Sequence, residues 1–269
     1  MPDLSTDLKP QNYKEQRPAE QFQPVHTWVR THRPGWTYEL IHVFTVWISI
    51  FVYRARAITT ANVPADGPFI LAPNHFSDMD HFFSGAYLRR KIQFMAKSQL
   101  FGQNPILDYI LRVTGVFPVR RGHHDGEAFI TAHACLARGN CVLVYAEGGR
   151  SRSGRLGEAK PGVGRLALES GVPVVPVAIH GSQGVRRWKR LSFPNVTIQY
   201  GEPITFARVA DPTREQQLVA SNKIFDQVKS MYVALEAQGR ASVIRSLRGR
   251  AAGAADAVSG ASARSEPNG

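Results

Sequence analysis

Apolar runs alternate with amphipathic stretches between residues 58 and 240. Six of the runs have the length and β-branched content of buried strands: 68–72, 92–96, 116–119, 141–146, 172–179 and 196–200. The stretches between them predict helices near 78–90, 105–112, 125–138 and 162–170, and a longer helix from 213 to about 237. Strands and helices in alternation predict an α/β domain over 58–240, with a mixed β-sheet covered by helices.

The two ends of the chain have a different pattern. Residues 1–35 are polar and rich in Pro, Gln and charge, without the apolar stretch or cleavage site of a signal peptide, and they predict a polar flexible arm. Residues 241–269 consist largely of Ala, Gly and Ser with scattered charges. That composition predicts a disordered tail.

Residues 36–57 contain an apolar stretch that reaches only the lower limit for a bilayer span, about 17–25 residues. Arginines lie on both sides of it, so the charges favour neither orientation. We expect a membrane-associated helix that lies in the interface, with a full span and a buried core helix as alternatives. Aromatic residues that favour the headgroup boundary occur along it: Trp36, Tyr38, Trp47 and Tyr53.

Composition narrows the class of protein. The apolar content of 43% is ample for a core, and the net charge of +12 predicts attraction to an anion, whether nucleic acid, a lipid surface or a phosphorylated ligand. Cys135 and Cys141 are the two cysteines, and no CxxC pattern accompanies them. We therefore expect ordinary reduced thiols, with neither a disulfide framework nor a structural metal site.

His75 and Asp80 follow the predicted strand 68–72, at a strand-to-helix turn. Within one helix their side chains would point about 140° apart, so they meet only if His75 lies on the loop and Asp80 in the first helical turn. Ser77 as the N-cap would give that geometry, and the carboxylate would then orient a histidine base. A capping role for Asp80 is the alternative, and His81 and Asp78 are competing groups.

A second polar cluster, residues 147–151, follows the predicted strand 141–146. Its glycines let the backbone approach a ligand, and an arginine holds phosphate through two hydrogen bonds. Other cations also come at strand ends, so several could converge on one anion. The candidate binding residues are Glu147, Gly148, Arg150, Lys97, Arg120, Arg121 and Lys160.

These clusters resemble the motifs of the glycerolipid acyltransferase family related to lysophosphatidate (1-acylglycerol-3-phosphate) acyltransferase. The order along residues 55–205 is that of the family: NHxSxxD at 74–80, a Gly-started strand ending in arginine at 115–121, a variant of FPEGTRS at 145–151, and a Pro-containing apolar strand at 174–177. The matching residues in the first motif are Asn74, His75, Ser77 and Asp80, and the second motif is matched by Gly115 and Arg121.

The resemblance implies a glycerol-phosphate acyltransferase-like fold and transfer of an acyl group from an acyl thioester to the hydroxyl of lysophosphatidate. His75 would be the general base and Asp80 its orienting partner, and Arg121 and Arg150 would hold the acceptor phosphate. Glu147 would position a substrate hydroxyl or an arginine. No cofactor or metal is implied, since acyl-CoA or acyl-carrier protein is the donor substrate.

The expected partners are the lipid acceptor, the acyl thioester and an anionic membrane surface, at the cytoplasmic face of the cell membrane; nucleic acid is not expected. The basic cluster 186–190, which surrounds Trp188, is expected to dock on that surface. Gly149 in place of threonine, and Tyr145 with Ala146 in place of Phe-Pro, depart from the third motif. Another acceptor (a lysophospholipid, glycerol 3-phosphate or a glycolipid) and a non-catalytic lipid-binding relative therefore stay as alternatives.

Overall fold

The computed structural model describes residues 14–120, 125–151, 153–185 and 193–262, and within these ranges a seven-stranded sheet forms the centre of the fold. The strands are β1 (Arg56–Ile58), β2 (Phe69–Pro73), β3 (Ile92–Lys97), β4 (Phe117–Val119), β5 (Cys141–Leu143), β6 (Val174–His180) and β7 (Thr197–Tyr200). The helices are α1 (Gln23–Thr31), α2 (Trp36–Trp47), α3 (Asp80–Gly85), α4 (Pro105–Val113), α5 (Gly126–Ala137), α6 (Pro161–Ser170) and α7 (Arg214–Ser262).

The strand order is β1-β7-β6-β2-β5-β3-β4. The β6–β7 pair is antiparallel and the other pairs are parallel, so the predicted mixed sheet is confirmed. Because β2 to β6 all run the same way, their carboxyl ends share one edge of the sheet. The loops after β2 and β5, which are neighbours, therefore start side by side.

Each face of the sheet buries an apolar layer, which is why the strands read as continuous apolar runs. Successive residues of β2 point to opposite faces. Ile70 and Ala72 pack in the layer that contains side chains of α5, α6 and α7. Phe69 and Leu71 pack in the other layer, with residues of α3 and the segment that leads into β1.

The N-terminal arm is folded from residue 19 onward, contrary to the predicted flexible arm. A 3₁₀ turn (Ala19–Phe22) leads into α1, which packs against α5. Val29 and His26 are buried, and His26 Nδ1 lies 2.8 Å from Thr131 Oγ1. These contacts hold the arm on the domain, and composition alone does not reveal them.

Other boundaries also differ from the predicted ones. The sheet begins with β1, before the predicted domain start at 58, and the helix predicted over 78–90 is only the six residues of α3. The strand predicted over 141–146 stops at Leu143. The predicted disordered tail is wrong for its first part, since α7 continues to Ser262 across a kink at Gly239.

Helix α2 ends in a π turn, Ile48–Val52, so the predicted helix over the apolar segment is present. Among the described residues no single helix is long and apolar enough to cross a bilayer. The pair Ala19–Thr31 and Trp36–Val52, bent by 92°, meets that length and composition only when taken together.

Candidate active site

Asn74 fixes the start of the loop that follows β2. Its side chain is fully buried, donates to the carbonyl oxygen of Ile179 (3.1 Å) and accepts from the Ile179 N–H (2.7 Å). This two-way bond joins the ends of β2 and β6. The next residue, His75, therefore leaves the sheet at a defined position on the carboxyl edge.

His75 and Asp80 meet as the sequence predicts. His75 Nδ1 lies 3.0 Å from Asp80 Oδ2, with His75 on the loop and Asp80 the first residue of α3. The carboxylate side chain is fully buried and the imidazole side chain is 13% exposed. Because a carboxylate only accepts, the neutral imidazole in this contact carries its proton on Nδ1 and its lone pair on Nε2.

The same carboxylate oxygen also shapes the loop. Asp80 Oδ2 accepts from the main-chain N–H of Phe76 (2.6 Å) and of Ser77 (2.7 Å). Asp80 therefore both orients the histidine and caps the turn. The N-cap position belongs to Met79 and not to Ser77, whose hydroxyl instead accepts from the Met79 N–H at 3.1 Å. The predicted capping role of Ser77 is wrong, although the predicted pairing is correct.

Glu147 fastens the loop that carries His75. Its Oε1 accepts from the His75 N–H (3.0 Å) and its Oε2 accepts from the Gly157 N–H (2.8 Å). The side chain is buried, and burial raises the pKa of this carboxyl. Both oxygens are thus used on the backbone, so the geometry gives Glu147 a positioning role rather than the expected contact with a substrate hydroxyl or an arginine.

Two further contacts from the loop after β5 reach His75. The Ser151 N–H donates to the His75 carbonyl oxygen at 2.8 Å. The ring of Tyr145 stacks on the imidazole, with the centroids 3.7 Å apart and the planes 11° from parallel. Tyr145 was singled out in the sequence only as a departure from the third motif, and no spacing rule predicts the stack.

Arg150 and Lys160 lie next to this loop. Arg150 forms an ion pair with Asp78, so one of the two groups that competed with the His75–Asp80 pair is an arginine partner instead. Lys160 is the N-cap residue that precedes α6, and its side chain covers Gly148: a Cβ at this glycine would lie 3.1 Å from Lys160 Cγ. Gly148 has φ +64°, in the left-handed region that favours glycine.

The remaining predicted cations lie farther along the same edge. With adjacent strands about 4.8 Å apart, the end of β3 lies about 10 Å and the end of β4 about 14 Å from β2. Lys97 ends β3 and is exposed. Arg120 follows β4 and donates to the main-chain oxygen of Arg17 at 3.0 Å, so it faces the N-terminal segment. Arg121 and the cluster 186–190 lie outside the described residues.

An apolar cleft of about 440 Å³ opens beside the loop that carries His75. Residues of helices α2, α3 and α4 and of strand β3 line the cleft, and Asp78 is also among its lining residues. Burial lowers the pKa of His81 to about 4, so this other competing imidazole lines the cleft in its neutral form. The main apolar lining residues are Ile41, Met79, Phe82, Phe94, Leu107 and Leu111.

Within the described ranges, no three or more His, Cys, Asp or Glu side chains come together to hold a metal ion. Cys135 and Cys141 are buried free thiols, in the two apolar layers on opposite faces of the sheet, as expected for ordinary core cysteines.

Comparison with known proteins gives one consistent result. The chain is 30% identical over 143 residues to a chloroplastic 1-acyl-sn-glycerol-3-phosphate acyltransferase of Arabidopsis thaliana. The aligned region covers 51% of this chain and 40% of the relative. It is 26% identical over 203 residues to a probable 1-acyl-sn-glycerol-3-phosphate acyltransferase of Mycoplasma genitalium, covering 72% and 74%. The chain thus spans about two fifths of the plant relative's length.

The fold has a counterpart among solved structures. The crystal structure of the 1-acyl-sn-glycerophosphate acyltransferase PlsC from Thermotoga maritima superposes with a TM-score of 0.57, at 20% identity, over 81% of this chain and 98% of the other. Residues 54–180, which contain the His75–Asp80 pair and the loop after β5, match the family model named Acyltransferase. The family model and the named relatives therefore agree that acyltransferases are the proteins to which this chain is similar.

Proposed function

We propose that this protein transfers a fatty acyl group from an acyl thioester to the free hydroxyl of 1-acylglycerol 3-phosphate, which gives phosphatidate. The observation that carries the proposal is the 3.0 Å contact between His75 Nδ1 and Asp80 Oδ2, on a loop that Glu147 and Ser151 hold from both sides. The acceptor is inferred from the names of the relatives.

In the proposed reaction His75 Nε2 takes the proton from the acceptor hydroxyl as its oxygen attacks the thioester carbonyl carbon. The new C–O bond forms, and the carbonyl oxygen becomes negative. When this intermediate collapses, the C–S bond breaks and the thiolate takes the proton from the imidazolium. Asp80 stabilises the imidazolium through Nδ1, and no covalent acyl-enzyme is required because the bound alcohol is the nucleophile.

The basic residues near His75 and the shape of the apolar cleft support binding of the two proposed substrates. Arg150 and Lys160 lie beside the His75 loop, where they would face the acceptor phosphate, with Arg121 as the further candidate from the motif. Lys97 lies farther along the same edge, within reach of a longer anionic donor such as acyl-CoA. The apolar cleft, which Asp78 and Met79 of the His75 loop help to line, has walls that suit an acyl chain.

Helix α2 supports docking on a membrane, and we place the protein at the cytoplasmic face of the cell membrane. Its outward residues are large and apolar at helical spacing; Trp36 is 77% exposed and Phe44 is 65% exposed. The net charge of +12 attracts an anionic leaflet at about 1 kcal/mol per basic residue near the surface. The full outward row is Trp36, Leu40, Val43, Phe44, Trp47 and Phe51.

The function is tested with purified protein in detergent or liposomes, palmitoyl- or oleoyl-CoA and lysophosphatidate, with release of CoA and formation of phosphatidate followed by mass spectrometry. We expect phosphatidate from the wild type and a loss of several orders of magnitude in the His75→Ala variant. Near-wild-type turnover by the variant would contradict the role of His75 as base.

The same assay separates the alternatives. Transfer to another lysophospholipid, to glycerol 3-phosphate or to a glycolipid, but not to lysophosphatidate, would keep the chemistry and refute the acceptor. A donor series with acyl-carrier protein identifies the thioester. Binding of lipid without transfer to any acceptor would support the non-catalytic relative.

Membrane docking is tested by flotation with anionic liposomes. The pair Phe44→Ser and Trp47→Ser should leave the protein unbound, whereas Val219→Ser, an exposed apolar residue of α7 in the helical layer on the opposite face of the sheet, should not change binding. Equal flotation of the paired variant and wild type would reject docking through α2.

A further inference from the structure

The hydroxyl group of Tyr145 has no partner within the described part of the chain, although the oxygen is buried. A buried hydroxyl without a hydrogen bond destabilises a fold, and such groups are uncommon. Stacking on His75 requires only the ring, which phenylalanine would supply without this cost. The unpaired hydroxyl is therefore available to donate a hydrogen bond to a bound ligand.

The hydroxyl stays protonated. Burial raises the pKa of Tyr145 well above 10, and the nearby carboxylates of Asp80 and Asp78 raise it further. A neutral phenol in a site from which water is excluded is a hydrogen-bond donor at any working pH. The Tyr145 ring that carries this hydroxyl stacks on the imidazole, with the ring centroids 3.7 Å apart.

The carboxylates near Tyr145 already accept hydrogen bonds or form an ion pair within the protein, with one exception. Asp80 Oδ2 accepts from His75, Phe76 and Ser77, and Asp78 pairs with Arg150. Asp80 Oδ1 is the exception, because it is buried and has no partner among the described residues. An experiment therefore has to distinguish Asp80 Oδ1 from a substrate oxygen as the acceptor.

We propose that Tyr145 is a catalytic residue whose hydroxyl donates a hydrogen bond to the carbonyl oxygen of the acyl thioester. As the acceptor oxygen bonds to the carbonyl carbon, the C=O π electrons move onto that oxygen, and a fixed donor stabilises the charge. The acceptor's proton goes to His75, and Tyr145 keeps its own. On collapse the C=O bond re-forms, the C–S bond breaks and the thiolate receives the proton from His75. This inference rests on the proposed acyl transfer but not on the identity of the acceptor.

The test is Tyr145→Phe, with Tyr200→Phe as a matched control. Tyr200 is also fully buried, but its hydroxyl donates to the Ser84 carbonyl oxygen at 2.9 Å. We expect Tyr145→Phe to lower kcat by about 10²-fold, the effect of removing one donor to a developing oxyanion, with Tm equal to or above that of the wild type. The control should lower Tm and leave kcat unchanged.

Three results would overturn the proposal. A kcat within twofold of the wild type would show that the hydroxyl takes no part in the reaction. A shift of the acidic limb of the pH–rate profile would assign the hydroxyl to Asp80 Oδ1, because that bond acts through His75. A fall in Tm as large as that of the control would assign it a structural role. All variants are assayed with the acceptor that the wild type uses fastest, so a wrong acceptor and an idle Tyr145 give separate results.

Discussion

Replacing Asp80 by asparagine tests whether the buried carboxylate supports His75 by charge or only by shape. The asparagine oxygen can still accept from the N–H groups of Phe76 and Ser77, so the loop should keep its course. The variant loses the negative charge that faces the imidazolium formed when His75 takes a proton. This single substitution therefore removes the charge of Asp80 but keeps the hydrogen bonds that hold the loop.

The size of the effect follows from the geometry. The Nδ1–Oδ2 distance is 3.0 Å and the Asp80 side chain is fully buried. Two unit charges about 4 Å apart interact by about 4 kcal/mol at the effective dielectric constant of about 20 that suits protein sites. If the transition state carries most of the imidazolium charge, the loss in kcat is about 10³-fold.

The assay is steady-state acyl transfer in detergent, with Tm measured for every variant. The matched control is Glu169→Gln, which removes the charge from another histidine–carboxylate pair: His133 Nε2 lies 2.8 Å from Glu169 Oε2, on α5 and α6. The control should keep kcat within twofold. If Asp80→Asn also kept kcat within tenfold while folding normally, charge support of the base would be refuted.

Two predictions concern stability. Burial lowers the pKa of His26 from 6.5 to about 4, so between these values the unfolded chain binds a proton that the folded chain does not. The free energy of unfolding therefore decreases as the pH is lowered through this range. The free energy of unfolding should decrease by about 2 kcal/mol between pH 6.5 and pH 5. Urea unfolding at both pH values should show a smaller decrease in the His26→Gln variant than in the wild type. An equal decrease in both proteins would contradict the assignment to His26. A Cβ at Gly164 would lie 2.0 Å from the Gln217 carbonyl oxygen, so Gly164→Ala should destabilise by about 3 kcal/mol or more. Gly126→Ala, with no atom within 4 Å, should not lower Tm, and equal Tm values for the two variants would refute this packing argument.

The strands of the sheet could be predicted because parallel strands are buried on both faces and read as apolar runs. β1 was missed because it has three residues and begins with Arg56, so it leaves no such run. β5 was drawn too long because residues after Leu143 are also apolar, although they belong to the loop that carries Tyr145. Hydropathy thus locates a buried segment, while the ladder of hydrogen bonds decides where the strand ends.

The ends of the chain show where composition fails. The N-terminal arm is polar, yet individual polar contacts fold it back: Glu15 is buried, accepts from Ser98 Oγ at 2.6 Å and pairs with Arg17. At the other end, the Ala content that was taken as a sign of disorder also gives high helix propensity, and α7 continues through it to Ser262.

The active-site pair was predictable because the resemblance to the NHxSxxD motif selected His75 and Asp80 from the alternatives that their spacing left open. The offset of five residues required His75 to lie on the loop, but it did not predict that the helix starts at Asp80 itself. The role of Glu147 was not predictable, because both of its partners are backbone N–H groups that any residue carries. The sequence pattern shows which side chains could bind a substrate. Only the fold shows which of them already form hydrogen bonds within the protein.

The loop after β5 positions His75 directly, and any contact that it makes with an anion is secondary to that role. Three of its residues contact His75: Glu147 binds its N–H, Ser151 binds its carbonyl oxygen and Tyr145 stacks on its ring. The two motifs, at 74–80 and 145–151, come together because β2 and β5 are hydrogen-bonded parallel neighbours whose carboxyl ends lie at the same edge of the sheet. The His75 loop and the third motif are therefore coupled through direct contacts. If His75 is the base, substitutions at Glu147 should affect kcat through the position of His75 before they affect the affinity for a phosphate.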